Sequence, residues 1–322
     1  MSRKILVTGG AGFLGHALVE AVAMLSGANI VAATRSNSVH YSAGVVQTYI
    51  GDLGSYTAWE LPLHQIDTVI HTAARVHVMN DCAADPLALF REVNTAGTLN
   101  LARQAAEAGV RRFIFISSIK VNGESTPLDR PFRADDPANP SDPYAISKHE
   151  AEQGLLKLAK ACSMEVVIIR PVLVYGPGVK ANFLQLMRLV SKGIPLPFGA
   201  IHNARSLVSL DNLVDFIQVC IDHPGAANQT FLVSDGHDLS TTELATGLKA
   251  QMPSSGWLIP VPQSLIHLGA TLLGRHAAAQ RVLGSLRVDI TKNRELLGWV
   301  PPGSVEEGLR KTVAHFLASD KT

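Results

Sequence analysis

The stretch Ile5-Leu6-Val7-Thr8-Gly9-Gly10-Ala11-Gly12-Phe13-Leu14-Gly15 decides the fold. A short apolar run reads as a buried strand, and the segment from about Gly12 to Leu25 reads as a helix. Glycines three apart between them each have a task. Gly9 permits a tight turn, Gly12 lets backbone approach a pyrophosphate, and Gly15 lets the helix pack closely on the strand. The helix start at Gly12, Phe13 and Leu14 offers free N–H groups and the positive end of a dipole to an anion. Strand, glycine turn and helix in that order indicate a dinucleotide site.

Outward from this turn the same alternation continues. Apolar runs at Ile30 to Ala33, Val46 to Ile50, Thr68 to Ile70, Phe113 to Ile116 and Val166 to Ile169 read as strands. Leu87 to Ala108 and Pro143 to Cys162 read as helices between them. Near-continuous apolar strands separated by helices imply a parallel sheet covered on both faces. The expected class is therefore α/β, a doubly wound parallel Rossmann sheet. Prolines thicken after Pro171, which divides the chain into residues 1–171, a dinucleotide-binding domain, and 172–322, mainly a smaller C-terminal substrate lobe. Leu207-Val208-Ser209, within a strand near 205–212, is expected to return to the main sheet.

Composition narrows the function classes. With 322 residues, 47% of them apolar, the chain can bury a full core, which excludes disorder. A net charge of +1 lacks the basic footprint of a nucleic-acid binder. Cys82, Cys162 and Cys220 are odd in number and isolated, which suits a reducing cytoplasm and neither disulfides nor metal. The twelve histidines show no metal spacing either. Residues 257–274 are apolar but interrupted by Pro260 and Pro262, too short a run to span a bilayer. A buried or interface helix is the simpler expectation there, and membrane-surface docking the other.

Two further clusters carry chemistry. Thr34-Arg35 stands at the end of the second strand, where an NAD enzyme usually places an acid for the ribose hydroxyls. A guanidinium there suits a 2′-phosphate, so NADP(H) is favoured, with NAD(H) the alternative. Asp52-Leu53, after the next strand, is expected beside the adenine. Tyr144 and Lys148 lie four apart, on one helical face. A cation beside a phenol favours phenolate and lowers its pKa, which prepares it to move a proton during hydride transfer. Ser117-Ser118 at a strand end would hold the reacting oxygen.

In chain order, Gly9-x-x-Gly12-x-x-Gly15, His71-Thr72-Ala73-Ala74, Asn94-Thr95-Ala96-Gly97-Thr98-Leu99-Asn100, Ser117-Ser118, Tyr144-x-x-x-Lys148 and Arg170-Pro171-Val172-Leu173-Val174-Tyr175-Gly176-Pro177 resemble the extended short-chain dehydrogenase/reductase family, in its nucleotide-sugar epimerase/dehydratase branch. The resemblance covers almost the whole chain. It implies that Ser118, Tyr144 and Lys148 form the catalytic triad, with Lys148 also on the nicotinamide ribose. It implies cofactor contacts at Ala73, Ala74 and Asn94, and around Pro171 and Val174 at the nicotinamide. For a nucleotide-diphosphate sugar, UDP-linked by the resemblance, it implies Asn182 and Arg205 as diphosphate contacts, joined by Arg281 or Arg287, with Ser117 and Ser118 at the sugar. Asp289-Ile290-Thr291-Lys292 resembles the family's C-terminal signature, and a homodimer is expected.

Departures narrow the reaction. The branch's dehydratases place Asp-Glu directly after the strand-end hydroxyl residue, whereas Ile119-Lys120 stands here. Dehydration is disfavoured. The run Ser117 to Glu124 resembles 4-keto-6-deoxy-hexosamine reductases of bacterial surface-polysaccharide synthesis. With Thr34-Arg35, that favours reduction at C4 of a UDP-4-keto-6-deoxy-(N-acetyl)hexosamine. The alternative is a UDP-hexose or UDP-N-acetylhexosamine 4-epimerase with tightly bound NAD. A non-catalytic dinucleotide sensor or assembly protein is the remote third.

Overall fold

A computed structural model describes residues 3–25, 28–36, 39–76, 85–253, 256–272, 274 and 276–319. Its strands are Arg3–Thr8 (β1), Ala28–Thr34 (β2), Val45–Tyr49 (β3), Thr68–His71 (β4), Arg112–Ile116 (β5), Glu165–Pro171 (β6), Leu173–Tyr175 (β7), Arg205–Ser209 (β8), Thr230–Val233 (β9) and Asp238–Leu239 (β10). The α-helices are Phe13–Ala23 (α1), Pro86–Phe90 (α2), Thr98–Glu107 (α3), Pro143–Ala161 (α4), Ala181–Ser191 (α5), Leu210–Asp222 (α6), Thr241–Ala250 (α7), Gln263–Leu272 (α8), His276–Leu283 (α9), Thr291–Leu297 (α10) and Val305–Ser319 (α11).

Successive side chains of a strand point to opposite faces, and β1 shows why its run Ile5-Leu6-Val7 is apolar without alternation. Ile5 and Val7 pack with Leu18 and Val22 of α1 and Phe216 and Ile217 of α6. Leu6 faces the other way, onto Leu101 and Ala105 of α3 and Ala151 and Leu155 of α4. Both faces of the strand are buried, so no position in it tolerates a polar alternation. Seven parallel strands follow the order β3-β2-β1-β4-β5-β6-β9, the doubly wound arrangement expected. Strand order reverses between β1 and β4, and a crevice opens there at the carboxyl ends of the strands.

The second half of the chain differs from its reading in one strand. β8, which contains Leu207 to Ser209, does not join the main sheet. It pairs parallel with β7 and antiparallel with β10 in a three-stranded sheet. The free edge of β6 is taken instead by β9, whose Phe231, Leu232 and Val233 are buried in the main core. The lobe has its own core, in which Tyr175, Phe183 and Met187 meet Leu309, Val313 and Phe316 of α11.

The expected helix from Leu87 to Ala108 runs without interruption from α2 into α3, with a widened middle. Arg91–Gly97, between α2 and α3, winds as a π-helix and carries Asn94. Such widened turns frequently mark functional sites. Among the described residues no helix is long and apolar enough to cross a membrane. Cys162 and Cys220 are free thiols, and Cys82 lies outside the described residues.

Candidate active site

The glycine turn has the geometry its spacing implies. Gly9 sits at φ 69°, a left-handed conformation that glycine adopts without strain, and a Cβ there would lie 2.8 Å from the Ala73 nitrogen. A Cβ on Gly15 would lie 2.1 Å from the Gly9 carbonyl oxygen, so helix and strand touch through backbone alone. Gly12 is the N-cap of α1 and carries no capping side chain. Phe13 and Leu14 therefore open a helix whose first N–H groups have no side-chain acceptor, the donor set a pyrophosphate requires. These residues fit a dinucleotide. Ala73 and Ala74 follow β4 beside this turn, with the Ala73 N–H 3.4 Å from the Thr8 hydroxyl. Pro171 closes β6 and Val174 lies in β7, at the same edge of the sheet.

At the ribose end, Thr34 is buried, and its hydroxyl donates to the Ser36 carbonyl and accepts from Gln47 Nε2. Arg35 is exposed and stands 3.5 Å from the carboxylate of the equally exposed Asp52. The side chain of Leu53 is packed in the core beneath.

Tyr144 and Lys148 do share one face of α4, and the helix exists for identifiable reasons. Asp142 caps it by accepting from the Ala145 N–H at 2.7 Å, and Pro143 occupies the first turn, where a missing N–H costs nothing. Ser118 caps the short turn Ile119–Val121 by accepting from the Lys120 N–H, and its hydroxyl faces the Tyr144 phenol. Hydroxyl, phenol and ammonium thus converge at the carboxyl ends of β5 and β6, beside the crevice.

The electrostatics differ from expectation. The Tyr144 phenol is pushed up to about 12, first by burial and then by the Asp142 carboxylate, while the Ser118 hydroxyl acts in the opposite sense. Lys148 is not what sets it. The Lys148 amine is buried, donates to the Ile116 carbonyl at 2.7 Å and lies over the Phe115 ring. Desolvation brings it down to about 7, against the attraction of Glu152. The protein alone therefore holds a neutral phenol beside an amine ready to change charge.

Two sequence assignments change. Ser117, expected at the sugar, is 3% exposed and lies buried beside Glu152. Consecutive strand residues face opposite ways, so only one serine of the pair can face the crevice. Asn94, expected at the cofactor, spends its carboxamide on the protein. It accepts from the Arg75 N–H at 2.8 Å and donates to the Arg75 carbonyl and the Ser147 hydroxyl, fastening the loop after β4 to α4. His71 is similarly structural: Thr8 and Thr98 hydroxyls bond its two nitrogens at 2.6 and 2.9 Å, and burial followed by the nearby Lys148 charge brings it down to about 3.

A buried ion pair escaped the sequence reading. Arg170 Nε donates to Glu152 Oε1 at 2.9 Å, Nη2 to Oε2 at 2.5 Å, and Nη1 to Asn122 Oδ1 at 2.9 Å. Glu152 continues the stripe Tyr144, Lys148 at four-residue spacing, so a carboxylate on the buried face of α4 was the signal available. Lys120, standing where dehydratases carry an acid, pairs with Asp142 and Glu124.

On the substrate side, Asn182 is exposed at the start of α5, directly after Ala181 at φ 52°, a conformation alanine rarely adopts. Arg205 Nη1 donates to the carbonyls of Arg281 and Gly284, and no carboxylate among the described residues pairs with it. Arg287 is committed to Asp238 Oδ2 at 2.6 Å, whereas Arg281 is exposed on α9. A separate cavity of about 700 Å³, lined by Asp235, His237, Glu243 and Glu306 among others, contains none of these site residues.

Fold and site together define a dinucleotide-dependent oxidoreductase architecture. The chain belongs to the NAD dependent epimerase/dehydratase family, whose profile matches residues 5–234. It is 53% identical over 321 residues to a UDP-glucose 4-epimerase of Vibrio cholerae, covering 99% of this chain and 97% of that one. It is 30% identical to a UDP-glucose 4-epimerase of Mycolicibacterium smegmatis, covering 97% of this chain and 98% of the relative. The solved UDP-glucose 4-epimerase of Thermotoga maritima, with UDP-glucose, shares the fold at a TM-score of 0.77 and 23% identity, over 98% of this chain and 99% of that one. The chain is thus an enzyme of the extended short-chain dehydrogenase/reductase family.

Proposed function

We propose that this enzyme is a UDP-hexose 4-epimerase that retains NAD, in place of the C4 reductase favoured from sequence. The observation that carries this reading is the full-length relation, at 53% identity, to a protein named UDP-glucose 4-epimerase. NAD replaces NADP(H) for a physical reason. Arg35 is countered by Asp52 at 3.5 Å, and a carboxylate there would repel a 2′-phosphate.

Bound NAD supplies a hydride acceptor and donor. Tyr144 exchanges a proton with the C4 oxygen of the sugar in the same sense as the hydride: the proton leaves O4 as hydride leaves C4, and returns when the hydride returns. Ser118 orients that oxygen, and protonated Lys148 stabilises the phenolate form of Tyr144. Arg205 holds the diphosphate, so that the sugar can turn while its nucleotide stays fixed. Asn182 adds a contact at the other side of the lobe.

The test is incubation with UDP-glucose or UDP-galactose without added reductant. Interconversion is expected, and Tyr144→Phe should lower it at least 100-fold, within the usual ~10²–10⁴-fold effect of a proton-transfer group, while dinucleotide still binds. Stoichiometric NADPH consumption with a UDP-4-keto sugar, and no interconversion, would restore the reductase.

A further inference from the structure

The stretch after α7 leaves apolar side chains outside the fold. Trp257 is 73% exposed and Leu272 79%, and Ile259, Leu265 and Leu268 are also exposed. No residue of α8 is buried, so the helix is not the buried element its composition suggests. Leu265, Leu268 and Leu272, at i, i+3 and i+7, form the stripe that ordinarily turns inward, and here it faces solvent. Trp257, a few residues before the helix, lines a shallow depression with Ile194 and Lys249.

Charge sorts with this surface. From Leu244 to Val288 the chain has no aspartate or glutamate, yet contains Lys249, Arg275, Arg281 and Arg287. A chain balanced at +1 overall thus carries cations and no acid over the stretch that contains α8. Arg287 is drawn inward onto Asp238, but Arg281 is exposed and Lys249 is half-buried beside Trp257.

We propose that this face docks peripherally on an anionic lipid bilayer. Trp257 and the leucines of α8 enter the boundary between headgroups and acyl chains, and the flanking cations meet lipid phosphates. A ten-residue helix is far too short to span, so it lies in the interface. A second copy of the chain is the poorer occupant, because a two-fold contact through this face would bring like charges together with no acid from the same stretch to offset them. The inference does not depend on the reaction catalysed. One consequence does rest on the epimerase reading: the carbonyls of Arg281 and Gly284 hold Arg205, so docking sets the diphosphate arm of the substrate site beside the membrane.

The full chain should be sedimented with vesicles of phosphatidylcholine alone and of phosphatidylcholine mixed with phosphatidylglycerol. Retention is expected on the anionic vesicles, falling as salt rises. Leu265→Ser/Leu268→Ser/Leu272→Ser should weaken it at least tenfold, and Lys249→Gln about fivefold. Dinucleotide binding and turnover in solution should stay unchanged in both, which shows that the variants fold. Absence of retention, or equal retention by the triple variant, overturns the proposal. So does a lipid-free dimer that the triple variant converts to monomer, which would assign the face to a second copy.

Discussion

Glu152→Gln removes the charge partner of Arg170 while keeping its volume, and leaves a guanidinium that is almost wholly inside the protein. Breaking one side of such a pair costs ~3–5 kcal/mol, because the remaining charge is desolvated without compensation. Unfolding entropy of about 2.1 cal/mol/K per residue gives roughly 0.7 kcal/mol/K for a chain of this length, so each kcal/mol moves Tm by about 1.5 °C. Glu152→Gln and Arg170→Met should each lower Tm by ~4–7 °C. The double variant should recover most of that loss, since it strands no charge. The pair also has a pH signature. Burial alone would raise Glu152, but the hydrogen bonds and charge of Arg170 hold it below the ordinary carboxylate value. A depressed acid stabilises fully above its unfolded pKa, and that contribution is lost as pH falls through the folded one. Calorimetric scans of the four proteins from neutral pH downward test this. Additive single losses in the double variant, or single losses under ~1 °C, would refute a coupled buried pair. Glu152 also attracts the Lys148 ammonium, so turnover by Glu152→Gln should fall at neutral pH and require a more acidic medium to keep that amine charged.

Gly15→Ala places a methyl 2.1 Å from the Gly9 carbonyl oxygen, so α1 must move. Loss of ~1–3 kcal/mol in stability and at least tenfold in NADH affinity by fluorescence titration are expected, whereas Gly269→Ala, which meets nothing within 4 Å, should bind NADH normally. His71, held near 3 in the fold, stabilises fully above its unfolded pKa of 6.5 and progressively less below it, at up to ~1.4 kcal/mol per pH unit. Urea titrations between those two values should therefore show a flatter acid limb for His71→Gln, and an unchanged slope would count against a buried neutral imidazole.

How far the site was legible follows from the range of the forces involved. The glycine turn, the strand-end Ser118 and the Tyr144–Lys148 pair are set by local geometry: three-residue spacing at a helix start, and four-residue spacing along a helix. Those positions could be read directly. The side that Ser117 faces could not, because it depends on which face of β5 meets α4. Asn94 shows the same limit. Its carboxamide is claimed by Arg75 and Ser147, neighbours 19 and 53 residues away. Glu152 could be placed on a helix face, yet its partner Arg170 comes from β6, the next strand, whose packing against α4 brings the two together. The Tyr144 phenol went against the local argument because Lys148 is pinned to Ile116, and desolvation outweighed proximity.

By itself the sequence determined the doubly wound parallel sheet, the nucleotide-cradling turn and the residue types that move protons, because buried parallel strands and helix faces impose periodicities that are properties of the chain. Tertiary structure alone decided which serine faces the crevice, and that β9 rather than β8 completes the main sheet. It also set Asp52 against Arg35, committed Arg287 to Asp238, and left the leucines of α8 facing outward. Each of those outcomes is a competition between partners distant in the chain, settled by packing and desolvation, and neither has a period that a sequence can display.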